Sequence, residues 1–130
     1  MTDYEFMLSV LEKAWRSEVR MAGRGTVERL ISASATGKLT DHTAEEISDS
    51  GTPYDVQLIL NTLTVAIAFV NLCIKVVATC RKKGASEEEA KEELTAALVN
   101  NERLQTFAAG DKADMAFRTV YSSWDGISAS

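Results

Sequence analysis

Side chains able to carry chemistry are few in this 130-residue chain, and they are scattered. His42 is the single histidine, and it stands beside Asp41, Glu45 and Glu46 in an acidic, turn-like stretch. Such a group could hold a cation loosely, but a metal site needs several fixed donors supported by a second layer of hydrogen bonds. An exposed loop histidine is therefore the expected reading. Cys73 and Cys80 lie seven residues apart, which on a helix separates them by roughly 10 Å along the axis. That separation forbids a disulfide within the helix, so two thiols inside an apolar run are expected to be buried as small hydrophobes. A reducing, cytoplasmic setting follows as the expectation, since the first residues also lack the basic start and apolar run of a signal peptide.

Gly23 and Gly25 frame Arg24 but are followed by no Gly-Lys-Ser/Thr pattern, so a phosphate-binding loop is not expected. The carboxylates of Glu45 and Glu46, and those of Glu87, Glu88 and Glu89, fall in first turns of helices, where the helix dipole favours acids without any catalytic role. No catalytic residue, cofactor or metal site is expected, and the chain reads as non-enzymatic. Arg16, Arg20 and Arg24 recur at four-residue steps and form a candidate basic edge, with Lys13 and Arg29 nearby. Glu12, Glu18 and Glu28 dilute that edge, and no aromatic residues interleave as a stacking platform for bases requires. A helix-turn-helix over residues 28–47 would carry an acidic second helix where phosphates must be met, so nucleic-acid binding is not expected.

The elements that position these residues read as helices throughout. One proline and seven glycines leave few breaks, and an apolar share of 45% suffices for one continuous core. Over residues 3–22 the apolar positions Tyr4, Met7, Leu8, Leu11, Ala14, Trp15, Val19 and Ala22 recur at three- and four-residue steps, predicting one helix that ends at the Gly23-Arg24-Gly25 break. A second is predicted over 26–35, with Val27, Leu30 and Ile31 inward and Gly37 as the stop. Thr43 and Glu46 have capping-box spacing and predict a third of about two turns. Ser86 and Glu89 repeat that spacing and open a helix with Ala90, Leu94, Ala97 and Leu98 on its inner face, which Asn100 and Asn101 bend or break. Leu104, Phe107 and Ala108 extend the apolar face to Gly110, where Asp111 can cap a last helix carrying Ala113, Ala116, Phe117, Val120, Tyr121 and Trp124 inward.

Between these lies the best-marked element, about residues 53–83. Thr52 can cap it, Pro53 suits its first position, Asp55 complements the dipole, and the basic turn of Arg81, Lys82 and Lys83 is followed by Gly84 as the stop. No charge occurs from Val56 to Ile74, a stretch of about the length that crosses a bilayer. Yet Gln57, Asn61, Thr64, Ala68, Asn71, Lys75, Thr79 and Lys82 project within about 80° of one another on a helix. A lipid-facing helix has no reason to align its amides and lysines. A helix packed by neighbours leaves one strip toward water or toward a partner helix.

The expected fold is all-α: a compact bundle of five or six helices around one long central apolar helix, in a single domain over residues 1–124 with a loose tail over 125–130. The expected function is a non-enzymatic protein–protein interaction or assembly module acting through helix faces, with self-association or a protein partner. Its candidate seam is Gln57, Asn61, Thr64, Ala68, Asn71 and Lys75, and the same strip simply wetted by solvent is the competing reading. The alternatives are a small membrane-associated protein with one span near 56–74 and a nucleic-acid-associated helical subunit using Arg16, Arg20 and Arg24.

Overall fold

In the computed structural model, residues 3–35 and 54–128 are described, and they form seven helices with no strand among them. We number these α1 (Asp3–Ala14), α2 (Arg16–Ala22), α3 (Arg24–Ala35), α4 (Tyr54–Lys82), α5 (Glu87–Ala97), α6 (Glu102–Ala108) and α7 (Asp111–Ser128). His42, the helix expected near Thr43, Gly37, and the Thr52 and Pro53 start signals fall outside the described residues.

The architecture follows from α4, whose 29 residues pack against all six other helices. Leu60, Leu63, Ala66, Ile67, Phe69, Val70, Cys73, Val77 and Cys80 are buried along it, so most of its circumference is covered by protein. Its end is fixed as the glycine implied. Gly84 takes a φ of 72°, a left-handed conformation that suits a residue without Cβ. Gly84 N–H donates to Arg81 O at 3.2 Å and Ala85 N–H to Cys80 O at 2.9 Å, which satisfies carbonyls the helix would otherwise leave open. The Ser86 hydroxyl then accepts from Glu89 N–H at 3.2 Å, and Ser86 N–H donates back to Glu89 Oε1 at 3.4 Å, so the expected capping box starts α5.

Three differences from the sequence expectation have local causes. The single helix over 3–22 is two, because Trp15 leaves helical geometry at φ −120°, ψ 47°. The indole is buried and stacks on Phe107 at 5.4 Å, and Phe107 meets Phe69 of α4 at 5.8 Å. A distorted helical hydrogen bond forfeits about 1 kcal/mol, whereas full burial of a large aromatic side chain with a ring partner stabilises by roughly 2–4 kcal/mol, so the aromatic contact prevails. The hydrogen bonds Trp15 N to Leu11 O and Val19 N to Trp15 O survive on either side. The second difference is Ala97, which is exposed: α5 buries Ala90, Leu94 and Leu98, one narrow four-residue ridge. The third is α7, which begins at Asp111 and continues to Ser128, past the point where the sequence placed a tail. Asn101 does not merely break the chain, since its side chain accepts from Leu104 N–H at 3.1 Å and starts α6.

Polar links tie the helices around α4. Tyr121 donates to Ala85 O at 3.1 Å, with the Arg81 guanidinium 5.2 Å from its ring centre. Lys91 donates to Asp114 at 2.9 Å, joining α5 to α7, and Lys112 pairs with Glu18, joining α7 to α2.

Candidate functional site

One side of α4 is left partly open by the other described helices. Leu58 is 48% exposed, and Ala68, Lys75, Thr79 and Lys82 are exposed with it, while Asn61, Val65 and Leu72 are half-buried along the same side. These positions obey a strict rule of spacing. Leu58, Val65, Leu72 and Thr79 recur every seven residues, and Asn61, Ala68, Lys75 and Lys82 each follow three residues later. Alternating three- and four-residue steps keep one side of a helix toward a facing helix.

The candidate seam read from sequence is only partly on this side. Asn61, Ala68 and Lys75 lie on it, whereas Thr64 and Asn71 turn away. Thr64 is buried and donates to Leu60 O at 2.8 Å, its own preceding turn. Asn71 donates to Ser34 Oγ of α3 at 2.7 Å, so this amide serves to dock α3 on α4. The side chain of Gln57 lies outside those described. Relative to the polar stripe the open face is turned by about 50°, at 3.6 residues per turn. That turn replaces two polar positions by the apolar Leu58, Val65 and Leu72. The signal that finds them is the seven-residue recurrence, which a search for aligned polar residues passes over.

A hollow of about 330 Å³ opens beside the Asn71–Ser34 contact, lined by Tyr4, Met7, Ile31, Ser32, Asn71 and Ile74 among others. Its walls are mostly apolar, and Ile74, which lines it, is only partly buried. The Tyr4 phenol is pushed above its ordinary value by burial and by the neighbouring Glu28 carboxylate, so it is neutral at physiological pH.

The basic edge is divided by the same glycine that ends α2. Gly23 at φ 90° turns the chain, which puts Arg24 on α3, where Glu12 and Glu28 lie 3.9 and 3.8 Å from its Nε. Arg16 and Arg20 remain on α2 and border a shallow groove with Ser9, Glu12, Lys13 and Val19. Glu12, which borders the groove and also faces Arg24, and Glu28 beside Arg24 leave the edge electrostatically mixed. Among the described residues no three of His, Cys, Asp and Glu gather as a metal-holding group. Cys73 is buried, which pushes its thiol up to about 12, and burial raises Cys80 as well, helped by Glu93 and Glu89.

Comparison with family models, with curated proteins and with solved structures gives no match for this chain.

Proposed function

We propose that this protein is a non-enzymatic helical interaction module whose docking surface is the open face of α4, from Leu58 to Thr79. The observation that carries the reading is the seven-residue recurrence of Leu58, Val65 and Leu72 on a side where Leu58 is exposed and the other described helices bury Val65 and Leu72 only in part. Leu72 packs in part against the core, but folding gives no reason to keep Leu58 exposed in register with it, whereas docking of another helix does. Ala68 in the middle of the face lets a partner backbone come close.

The variant carrying Leu58→Gln together with Ala68→Glu tests this. In dilute solution its helix content is expected to match wild type and its unfolding free energy to fall by only about 1 kcal/mol, the worth of the half-buried Leu58 carbons. Association through the face is expected to be lost, because a buried and unpaired carboxylate is strongly disfavoured. A variant that unfolds in dilute solution while wild type stays folded overturns the reading, since the face would then be covered by the protein's own chain.

A membrane reading has its own support in the length and apolar composition of Leu58–Lys82, the one described helix that could span a bilayer. Half of that stretch is buried inside the bundle, and insertion would require α4 to shed six packed helices. The docking reading keeps the bundle intact.

A further inference from the structure

From the hollow where α1, α3 and α4 meet, we infer a binding site for a small neutral molecule that has an apolar body and one hydroxyl or amide group. The hollow measures about 330 Å³. A dry cavity of roughly 150 Å³ already admits benzene, so one ring with a short polar arm fits with room to spare. Met7 of α1 and Ile31 of α3 are buried where they line it, and Tyr4 and Ile74 are half-buried beside them. These apolar walls take the body of the ligand. All four residues stand on helices, so the shape exists before a ligand arrives.

Hydrogen-bond accounting sets the polar group. Ser34 and Asn71 both line the hollow, and Asn71 Nδ2 donates to Ser34 Oγ at 2.7 Å. A hydroxyl that accepts still has its own hydrogen to give, and an amide that donates through nitrogen still has an oxygen that accepts. One ligand group that both accepts and donates satisfies the pair in a single pose. The Tyr4 phenol offers no third position of this kind, because it is engaged with Glu28. Charge narrows the class further. No lysine or arginine is among the described residues that line the hollow, so a carboxylate or phosphate would leave water without a counter-charge. Glu28 already serves Tyr4 and lies 3.8 Å from Arg24 Nε, so a cationic ligand gains no carboxylate of its own.

Titration of the full chain with benzyl alcohol, followed by NMR of the methyl groups, tests this. Saturable shifts are expected at Met7, Ile31 and Ile74. Toluene, with the same ring and no hydroxyl, is expected to bind several-fold more weakly, and benzoate to give no saturable shift. Ser34→Ala should bring benzyl alcohol down to the affinity of toluene and leave toluene unchanged. Simple loosening of α3 would weaken both probes alike, and that result overturns the polar recognition. Equal affinity of the wild-type chain for benzyl alcohol and toluene, or tighter binding of benzoate, overturns the ligand class. The absence of any saturable shift at the three methyl positions overturns the site itself. If Ser34→Ala fails to fold, the wild-type comparison of the three probes still decides the class, and Ile74→Trp, which fills the hollow from a partly buried position, decides the site: both neutral probes should be lost, and retained binding refutes it. The Leu58→Gln/Ala68→Glu variant should bind benzyl alcohol as wild type does, because Asn71 turns away from the open face of α4. Failure of the docking reading and failure of this site are therefore separate results.

Discussion

Truncating Ile67 to Ala separates a packed central helix from one whose apolar residues merely suit a lipid phase. Ile67 is fully buried in the middle of α4. The change removes three carbons, worth about 0.8 kcal/mol each when buried, or roughly 2.4 kcal/mol. A residual void of about 50 Å³ adds roughly 1 kcal/mol at 24 cal/mol per Å³, giving an expected loss of about 3.5 kcal/mol within the usual range of 2–5. Leu58→Ala on the same helix is the internal control. Leu58 is 48% exposed, so the same three carbons are worth only about half as much, with no cavity, or roughly 1 kcal/mol. Urea unfolding of both variants in dilute detergent-free buffer, at a common slope of about 2 kcal/mol per M, should move the midpoint by roughly 1.7 M and 0.5 M. An Ile67→Ala midpoint equal to wild type, or a larger loss for Leu58→Ala, refutes the placement of α4 in the core.

Three further outcomes are expected. Ser86→Ala removes the hydroxyl that accepts from Glu89 N–H and should lower stability by roughly 1 kcal/mol, with faster amide exchange confined to the first turn of α5. Asp114 has its carboxyl held below the ordinary value by the hydrogen bond from Lys91 and by the charges of Lys91 and Arg118; its contribution is present above 3.8 and is lost as pH falls through the lowered folded value. Asp114→Asn should therefore flatten the acid limb of a stability–pH curve and leave its shape at neutral pH unchanged. Cys73, pushed up to about 12 by burial, should resist a thiol reagent at neutral pH until the chain unfolds, whereas prompt labelling of the native protein would show that the C-terminal half of α4 is open.

What the sequence made legible were the features decided by neighbours in the chain. The stop at Gly84, the box of Ser86 with Glu89 and the apolar periodicity that buries Leu60, Leu63, Ile67, Phe69, Val70 and Phe117 all depend on residues within one or two turns. Trp15 was legible as core but the break beneath it was not, because the cause is Phe107, ninety-two positions away. The direction of the stripe failed for a related reason. Asn71 looked like a member of an outward row until α3 brought Ser34 to it, and Thr64 could satisfy its own hydroxyl on the preceding turn and so be buried without a partner. A polar residue on a helix marks water, a neighbour or its own backbone, and composition does not distinguish the three. Trp124, also expected in the core, lies beyond the described side chains.

The seven-residue recurrence on α4 also limits how long a contact it can make. A straight helix at 3.6 residues per turn falls about 20° behind a seven-residue repeat in each heptad, so from Leu58 to Thr79 the face rotates by roughly 60°. Two straight helices therefore meet best near the middle of the face, and the two ends diverge. The bundle opposes the supercoiling that would correct this, because α4 is held by six other helices. The expected energetic profile is thus peaked: Ala68→Glu should weaken association through the proposed face far more than either Leu58→Glu or Thr79→Glu, all three being exposed positions that the fold tolerates. Dissociation constants from sedimentation of the three variants measure this directly. Equal weakening at all three would mean that α4 bends to follow its partner along its whole length, and a weaker effect at Ala68 than at the ends would exclude a crossing near the middle of the face.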